Sequence, residues 1–416
     1  MNLSIQNKTK KLTLLSMTVI ILLLAGCSSN EPKNPPQVNP IPKIHIYTDN
    51  GLDPDCKENY LSATFSFDGK ETPWENIVEK PMRIRGRGNS TWYGPPKKPW
   101  RVNFSSANAT SLFGLPPARD WVFLANYYDP THLLNATASE LGHRLDIPLT
   151  FSSHFVELYL NGSYRGLYQV TEHLRQNTIP HLSADDILME LDNYFDEEFQ
   201  FKSNLLGLPV MIQEPRSQAG LDKAKIIWDN IENTLFGPVY ENAPEVLDSS
   251  NWRELFDVQS IMKYLLLYEL MGNTELYNPN SFWMIYKGSS GKIHFGPIWD
   301  FDEAWSFFNS VPFAMSDILY HSWLPLADRT GASTRFINRF FDDPTFVRDY
   351  KEYCKSIIGK LNTDRFVDSL GATLKPYAEK DFQIWDRIYH YDTQIKWFKN
   401  FYNKRLSAMK DYGNLP

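Results

Sequence analysis

The sequence predicts an α+β fold, with a strand-rich N-terminal part, a helix-rich C-terminal part and a cleft between the two. Short runs with alternating apolar residues fill the stretch from Lys43 to about Leu174, and the apolar spacing then lengthens to helical values. The chain's 416 residues, 42% of them hydrophobic, are enough to bury a sizeable core.

The N-terminus comes before any of this. Lys8, Lys10 and Lys11 precede an apolar run, Leu12 to Leu24, which ends in Leu24-Ala25-Gly26-Cys27 and the polar stretch SSNEPKNPP. The run is short for a membrane span and closes in small residues, as a cleaved export signal does. Residues 1–26 are therefore expected to be a bacterial lipoprotein signal peptide, with Cys27 as the lipidated residue. Residues 27–42, rich in Pro, Asn and Ser, are expected to be a disordered tether. The folded part would then sit outside the cytoplasm in the cell envelope, lipid-anchored. Ser28 after Cys27 favours the outer membrane or cell surface.

Charge excludes one partner class. With 42 Lys+Arg against 49 Asp+Glu and a net charge of −7, no nucleic-acid partner is expected. With Cys27 committed to lipid, Cys56 and Cys354 remain, and an exported compartment would permit them to pair. The sequence leaves that open.

Residues 43–175 form the expected N-terminal lobe. KIHIYT, SATFSF, MRIRG, WRVNF and HFVELYLNGSYRGLYQV read as strands, Asn161-Gly162 is a hairpin turn, and one helix spans about Thr131 to Leu145. Residues 176–416 form the C-terminal lobe. DILMEL and LPVMIQ read as strands, and Lys223–Leu235, Trp252–Met271, Phe336–Leu361 and Asp381–Tyr412 read as helices.

Two segments carry chemistry. In YELMGNTELYNPNSFWMIYKGSSGKIHFGPIWDFDEAW, strands Ser281–Lys287 and Lys292–Ile298 flank the turn Gly288-Ser289-Ser290-Gly291. That hairpin sets Asn280 beside Asp300. Glu275 lies in the same loop as Asn280, and Asp302 shares a side with Asp300 if the segment stays extended. Carboxylate and amide oxygens suit a hard cation such as Mg²⁺, and a remaining carboxylate can deprotonate a hydroxyl. The plainer alternative is that these residues are helix caps and turn residues.

The second segment, MRIRGRGNSTWYGPPKKPWRVNF, presents backbone N–H groups together with Arg85, Arg87, Asn89, Ser90, Thr91, Lys97 and Lys98. Such a loop can hold phosphates, or it can be an ordinary solvated hairpin with a basic tip.

RIRGRGNSTW with KKPWRVNF, DWVFLANYYDPTHLLNATASELG, VELYLNGSYRGLYQVTEHL and FGPIWDFDEAW, in this order, resemble the spore coat protein H (CotH) kinase family. The likeness spans about residues 43–410. It implies an atypical protein-kinase-like bilobal fold, ATP with Mg²⁺ or Mn²⁺ between the lobes, and Arg87, Asn89, Ser90 and Lys98 on the nucleotide. Glu172, where the chain crosses between lobes, is the position for a contact to the base or an interlobe ion pair. Asn280 and Asp300 match the family's metal-binding positions, with Asp302 beside them. The catalytic acid falls at Glu275, where kinase-active members carry aspartate. The extra methylene moves the carboxylate by about 1.5 Å.

The resemblance implies an ATP-dependent Ser/Thr kinase acting on an exported protein, with a Ser-rich and basic protein as the expected acceptor. A non-catalytic surface adhesin or coat component retaining the fold is the alternative, as some fungal relatives act as host-binding invasins. A carbohydrate-binding or glycan-active protein is the third, since 12 Trp and 22 Tyr would suit sugar stacking, although aromatic residues also build cores.

Overall fold

The computed structural model describes residues 40–70, 72–237, 246–276, 279–302, 304 and 331–414. The expected signal peptide, Cys27 and most of the tether lie outside the described residues. No helix among the described residues is long and apolar enough to cross a membrane. The mixed α+β class is observed.

The N-terminal strands are β1 (Lys43–Thr48), β2 (Leu61–Asp68), β3 (Ile77–Gly86), β4 (Trp100–Asn103), β5 (Asp120–Leu124), β6 (His154–Leu160) and β7 (Ser163–Glu172). They form a closed barrel in the order β1-β2-β3-β4-β5-β7-β6. Parallel pairing of β1 with β6, Ile44 opposite Leu158, closes it and removes the open edges. Alternation sends Ile44, Ile46, Phe65, Ile84, Val102, Phe123, Val156 and Val170 into one apolar core. Asn161 and Gly162 take φ of 52° and 77°, the turn that two central positive φ values specify. Strand β5 carries no alternation for a sequence reading to detect, because Asp120 through Phe123 are all buried.

A second sheet has the order β12-β11-β8-β10-β9, built from β8 (Ile187–Leu191), β9 (Gln200–Lys202), β10 (Pro209–Glu214), β11 (Phe282–Lys287) and β12 (Lys292–Phe295). Behind it lies a separate, larger apolar core that includes Met189, Val210, Leu265, Phe295 and Phe336.

Among the helices named here are α1 (Ser90–Tyr93), α2 (Leu134–Arg144), α3 (Leu174–Thr178), α4 (Gln218–Phe236), α5 (Ser249–Leu255), α6 (Val258–Met271), α7 (Ala332–Arg339), α8 (Pro344–Ile357), α9 (Asp364–Ile384) and α10 (Tyr391–Asn414). Three expected helices are each divided. The expected Trp252–Met271 helix breaks at Phe256-Asp257, where the Asp257 carboxylate accepts from the Ser260 N–H and starts α6. The expected Phe336–Leu361 helix breaks at Asp343-Pro344, a cap followed by Pro at the first helical position. Asp381–Tyr412 belongs to two helices, α9 and α10.

Helix α9 packs on β7. The Asp381 carboxylate accepts from the Leu167 N–H at 2.9 Å and from Lys97 at 2.6 Å, and Trp385 Nε1 donates to the Arg165 carbonyl at 3.0 Å. C-terminal helix and N-terminal barrel thus share buried polar contacts. Cys56 and Cys354 are both free thiols, and burial pushes the Cys354 thiol up to about 12. Trp92, Trp100, Trp121, Trp228, Trp252, Trp283 and Trp299 are core residues, the packing role open to them from the start.

Candidate functional site

A cleft of about 360 Å³ lies between residues of the barrel and residues of the second sheet. Its two walls differ in charge. The barrel side supplies Arg85, Arg87, Asn89, Ser90 and Arg101, and His173 and Arg175 follow β7. The other side supplies Glu190, Asp192, Glu275, Asn280, Asp300 and Asp302.

The basic wall follows from a tight turn. Gly88 has φ +81°, a conformation L side chains resist, and a Cβ on Gly86 would come within 2.4 Å of the Trp92 ring. Those two glycines let the chain leave β3 and fold back as α1, with the Asn89 carbonyl accepting from the Trp92 and Tyr93 N–H groups. Several cations around the cleft are already paired. Arg101 binds Asp120 at 2.6 Å, Arg175 pairs with Glu214 at 3.3 Å, and Arg216 at the rim binds Glu197 at 2.7 Å. Arg87 differs: its guanidinium has no hydrogen-bonded partner among the described residues. Burial pulls its pKa down, and Asp300 and Asp302 across the cleft pull it back up. His173, half-buried beside Arg101, Arg87 and Arg175, is held well below the ordinary histidine range by desolvation first and those cations second, so it stays neutral.

The acidic wall is hung on β8 and the β11–β12 hairpin. Phe282 pairs with Leu191, and the Asn193 N–H donates to the Pro279 carbonyl at 2.8 Å, which brings Asn280 alongside the end of β8. Within the hairpin Met284 opposes Phe295 and Lys287 opposes Lys292. The second strand ends at Phe295, three residues short of the expected Ile298, because Pro297 has no N–H to continue the ladder. Asn280 and Asp300 nevertheless line one cleft. Asp300 is not extended as expected: its φ is +58°, in the left-handed region. Asp302 still lines the cleft, because the turn at Asp300 is pinned from two sides. Asn273 Nδ2 donates to the Asp300 carbonyl at 3.0 Å, and the Phe301 N–H donates to Asn135 Oδ1 at 2.9 Å.

Asn273 also holds Glu275, whose N–H donates to Asn273 Oδ1 at 2.9 Å. Glu275 is buried, close enough to the hydrogen-bonded Tyr264–Tyr268 pair to raise both hydroxyl pKa values after burial itself. Burial, then Asp196 and Asp300, push the Asp192 carboxyl up to about 7. Glu190 is also pushed well above the ordinary range, by burial first and Asp192 next, while accepting from Gln213 at 2.8 Å and Ser281 at 3.2 Å.

Of the ten expected site residues, Arg87, Asn89, Ser90, Glu275, Asn280, Asp300 and Asp302 meet in the cleft. Two lie elsewhere. Lys98 donates to the Trp92 carbonyl at 2.6 Å, with its ammonium over the Trp92 ring, because the PPKKPW turn directs it back onto the loop. Glu172 turns away from the cleft and accepts from the Ser152 N–H at 3.1 Å, since alternation on β7 puts it on the other face. Cys27 lies outside the described residues. Arg101, His173, Glu190 and Asp192 were missed. The last pair had a signal, two acids at i and i+2 at the end of an apolar strand.

No three His, Cys, Asp or Glu side chains among the described residues form a ready-made metal cage. The donor set is two carboxylates and an amide lining one cleft. That chemistry fits a hard cation that keeps waters and takes further oxygens from a phosphate. A family model described as CotH kinase protein matches residues 83–409. No curated protein matches the chain.

Proposed function

The chain belongs to the CotH kinase family, and from that premise we propose an ATP-dependent atypical protein kinase that phosphorylates Ser or Thr of an exported protein. It would work from the cell envelope, anchored through Cys27, on an acceptor that is Ser-rich and basic. The observation that carries the reading is Arg87, a guanidinium without a hydrogen-bonded partner among the described residues that faces Asp300 and Asp302 across one cleft. A polyphosphate with its cation is the ligand whose charges match both walls.

In this reading Arg87, Asn89 and Ser90 bind the phosphate oxygens, and Asn280, Asp300 and Asp302 would hold Mg²⁺ or Mn²⁺. The cation supplies charge neutralisation on the transferred phosphoryl group. Glu275 takes the proton of the acceptor hydroxyl as its oxygen bonds to the γ-phosphorus and the bond to the bridging oxygen of ADP breaks. Burial keeps water away from the Glu275 carboxylate, and Asn273 fixes its backbone. Glutamate has nearly the intrinsic pKa of aspartate, so the change at this position is one of reach rather than basicity.

Melting temperature with ATP and Mg²⁺ tests this. Ligand at about 100 times its Kd stabilises a binding protein by about 2.7 kcal/mol, a clear upward shift. No shift with Mg²⁺ or Mn²⁺ would sink the kinase reading and leave a binding protein that retains the fold.

A further inference from the structure

Cys56 to Tyr60, ahead of the family-matched residues 83–409, run along the back of the basic loop. The Gly86 N–H donates to the Cys56 carbonyl at 3.0 Å, and Arg85 donates to the Lys57 carbonyl. The Tyr60 ring lies 4.4 Å from the Arg83 guanidinium and 5.1 Å from that of Arg85. Lys57 reaches furthest: its ammonium donates to Asn89 Oδ1 at 2.6 Å and sits 5.0 Å from the centre of the Tyr93 ring.

An ammonium has donors and no acceptor, so the amide atom that faces it has to be the oxygen. The chemistry therefore orients the Asn89 amide. Its oxygen, which would repel a phosphate, is occupied behind the loop, and Nδ2 is left as the group Asn89 can offer in the cleft it lines.

We propose that Lys57 is a positioning residue for anion binding, holding Asn89 in the donor orientation toward phosphate oxygens. This rests on the reading of the cleft as a phosphate site and adds to it a residue from outside the family-matched segment. Without Lys57 the amide is free to turn, and Asn89 presents oxygen as readily as nitrogen.

The test is calorimetric binding of inorganic tripolyphosphate with Mg²⁺ to the whole folded chain. Lys57→Met keeps the stem against Tyr93 and should weaken binding about tenfold, the scale of one misdirected charge-assisted hydrogen bond. Lys57→Arg, which still donates, should restore most of it. Lys57→Met should add nothing in an Asn89→Ala background, because its effect passes through that amide. If Lys57→Met proves unstable, Asn89→Asp provides the second arm: it keeps the Lys57 contact, removes both donors, and should weaken tripolyphosphate binding without lowering the melting temperature. Equal binding by wild type and Lys57→Met, or additive losses with Asn89→Ala, overturns the role of Lys57. Failure of the wild type to bind tripolyphosphate overturns the phosphate site itself, and this inference with it.

Discussion

Replacing Asn273 with leucine should damage both halves of the chemistry from a residue that touches neither substrate. Asn273 is fully buried and makes two hydrogen bonds, accepting from the Glu275 N–H at 2.9 Å and donating to the Asp300 carbonyl at 3.0 Å. Leucine has a similar volume, so the cost comes from the orphaned groups and not from a cavity. A buried N–H left unpaired costs about 1–3 kcal/mol, and the less buried Asp300 carbonyl adds about 1, for about 2–4 kcal/mol in total. Urea unfolding followed by tryptophan fluorescence measures that loss. The functional loss should be larger than for a surface change, because Glu275 and Asp300 both lose their register. A misplacement near 1 Å costs about 10²-fold in rate. Asn135→Ala is the partial control: it orphans the Phe301 N–H, so it should weaken the cation-dependent melting shift and spare the Glu275 backbone. A stability loss under about 0.5 kcal/mol for Asn273→Leu, together with an unchanged ATP and Mg²⁺ response, would refute the reasoning.

Asp300→Asn, which removes the charge and keeps a residue type that tolerates the left-handed φ of 58°, should remove the metal-dependent part of the ATP-induced melting shift while leaving the unliganded melting temperature nearly unchanged. Glu275→Gln should preserve nucleotide binding and lower transfer by about 10²–10⁴-fold, the usual contribution of a general base, as read by radiolabelled phosphate incorporation. Glu275→Asp should raise transfer, and an equal or lower rate rejects Glu275 as a weakened base. His154 is stacked on Phe113 at 4.3 Å, and burial holds its pKa down to about 4. The unfolded chain therefore binds a proton that the folded state refuses between about pH 6.5 and 4, so stability is lost as pH falls through that window. His154→Phe should be favoured over wild type by up to about 2 kcal/mol more at pH 5 than at pH 7.5, and an identical pH dependence of the two would exclude it. Phe295→Ala, which removes a ring of the site hairpin packed among Tyr264, Phe282 and Phe340, should cost about 3–5 kcal/mol in the same urea assay.

Local rules made much of the fold and of the site readable. Alternation in KIHIYT and HFVELYL, positive-φ residues at Asn161-Gly162, and the Gly288–Gly291 turn are all decided within a few residues. For that reason the register bringing Asn280 near Asp300 followed from counting along one hairpin. The acidic loop and the basic loop were therefore visible as two separate chemistries. Asp257 and Asp343 were equally local as caps, but the apolar spacing on either side of each hid the break.

Tertiary packing decided which of these residues share a space. Lys97, Lys98 and Arg101 are alike in composition, yet Lys97 is buried on Asp381 of α9, Lys98 folds back on Trp92, and Arg101 reaches the cleft beside Asp120. Glu172 and Glu190 are both glutamates at strand positions, and only the closed barrel and the second sheet set one outward on Ser152 and the other inward on Gln213. Chain chemistry names the side chains able to bind phosphate or cation, because that ability belongs to each residue type. The direction each one points depends on partners that can be as near in sequence as Trp92 is to Lys98 or as far as Asp381 is from Lys97, and whose contacts form only when barrel, second sheet and C-terminal helices bury their apolar faces together.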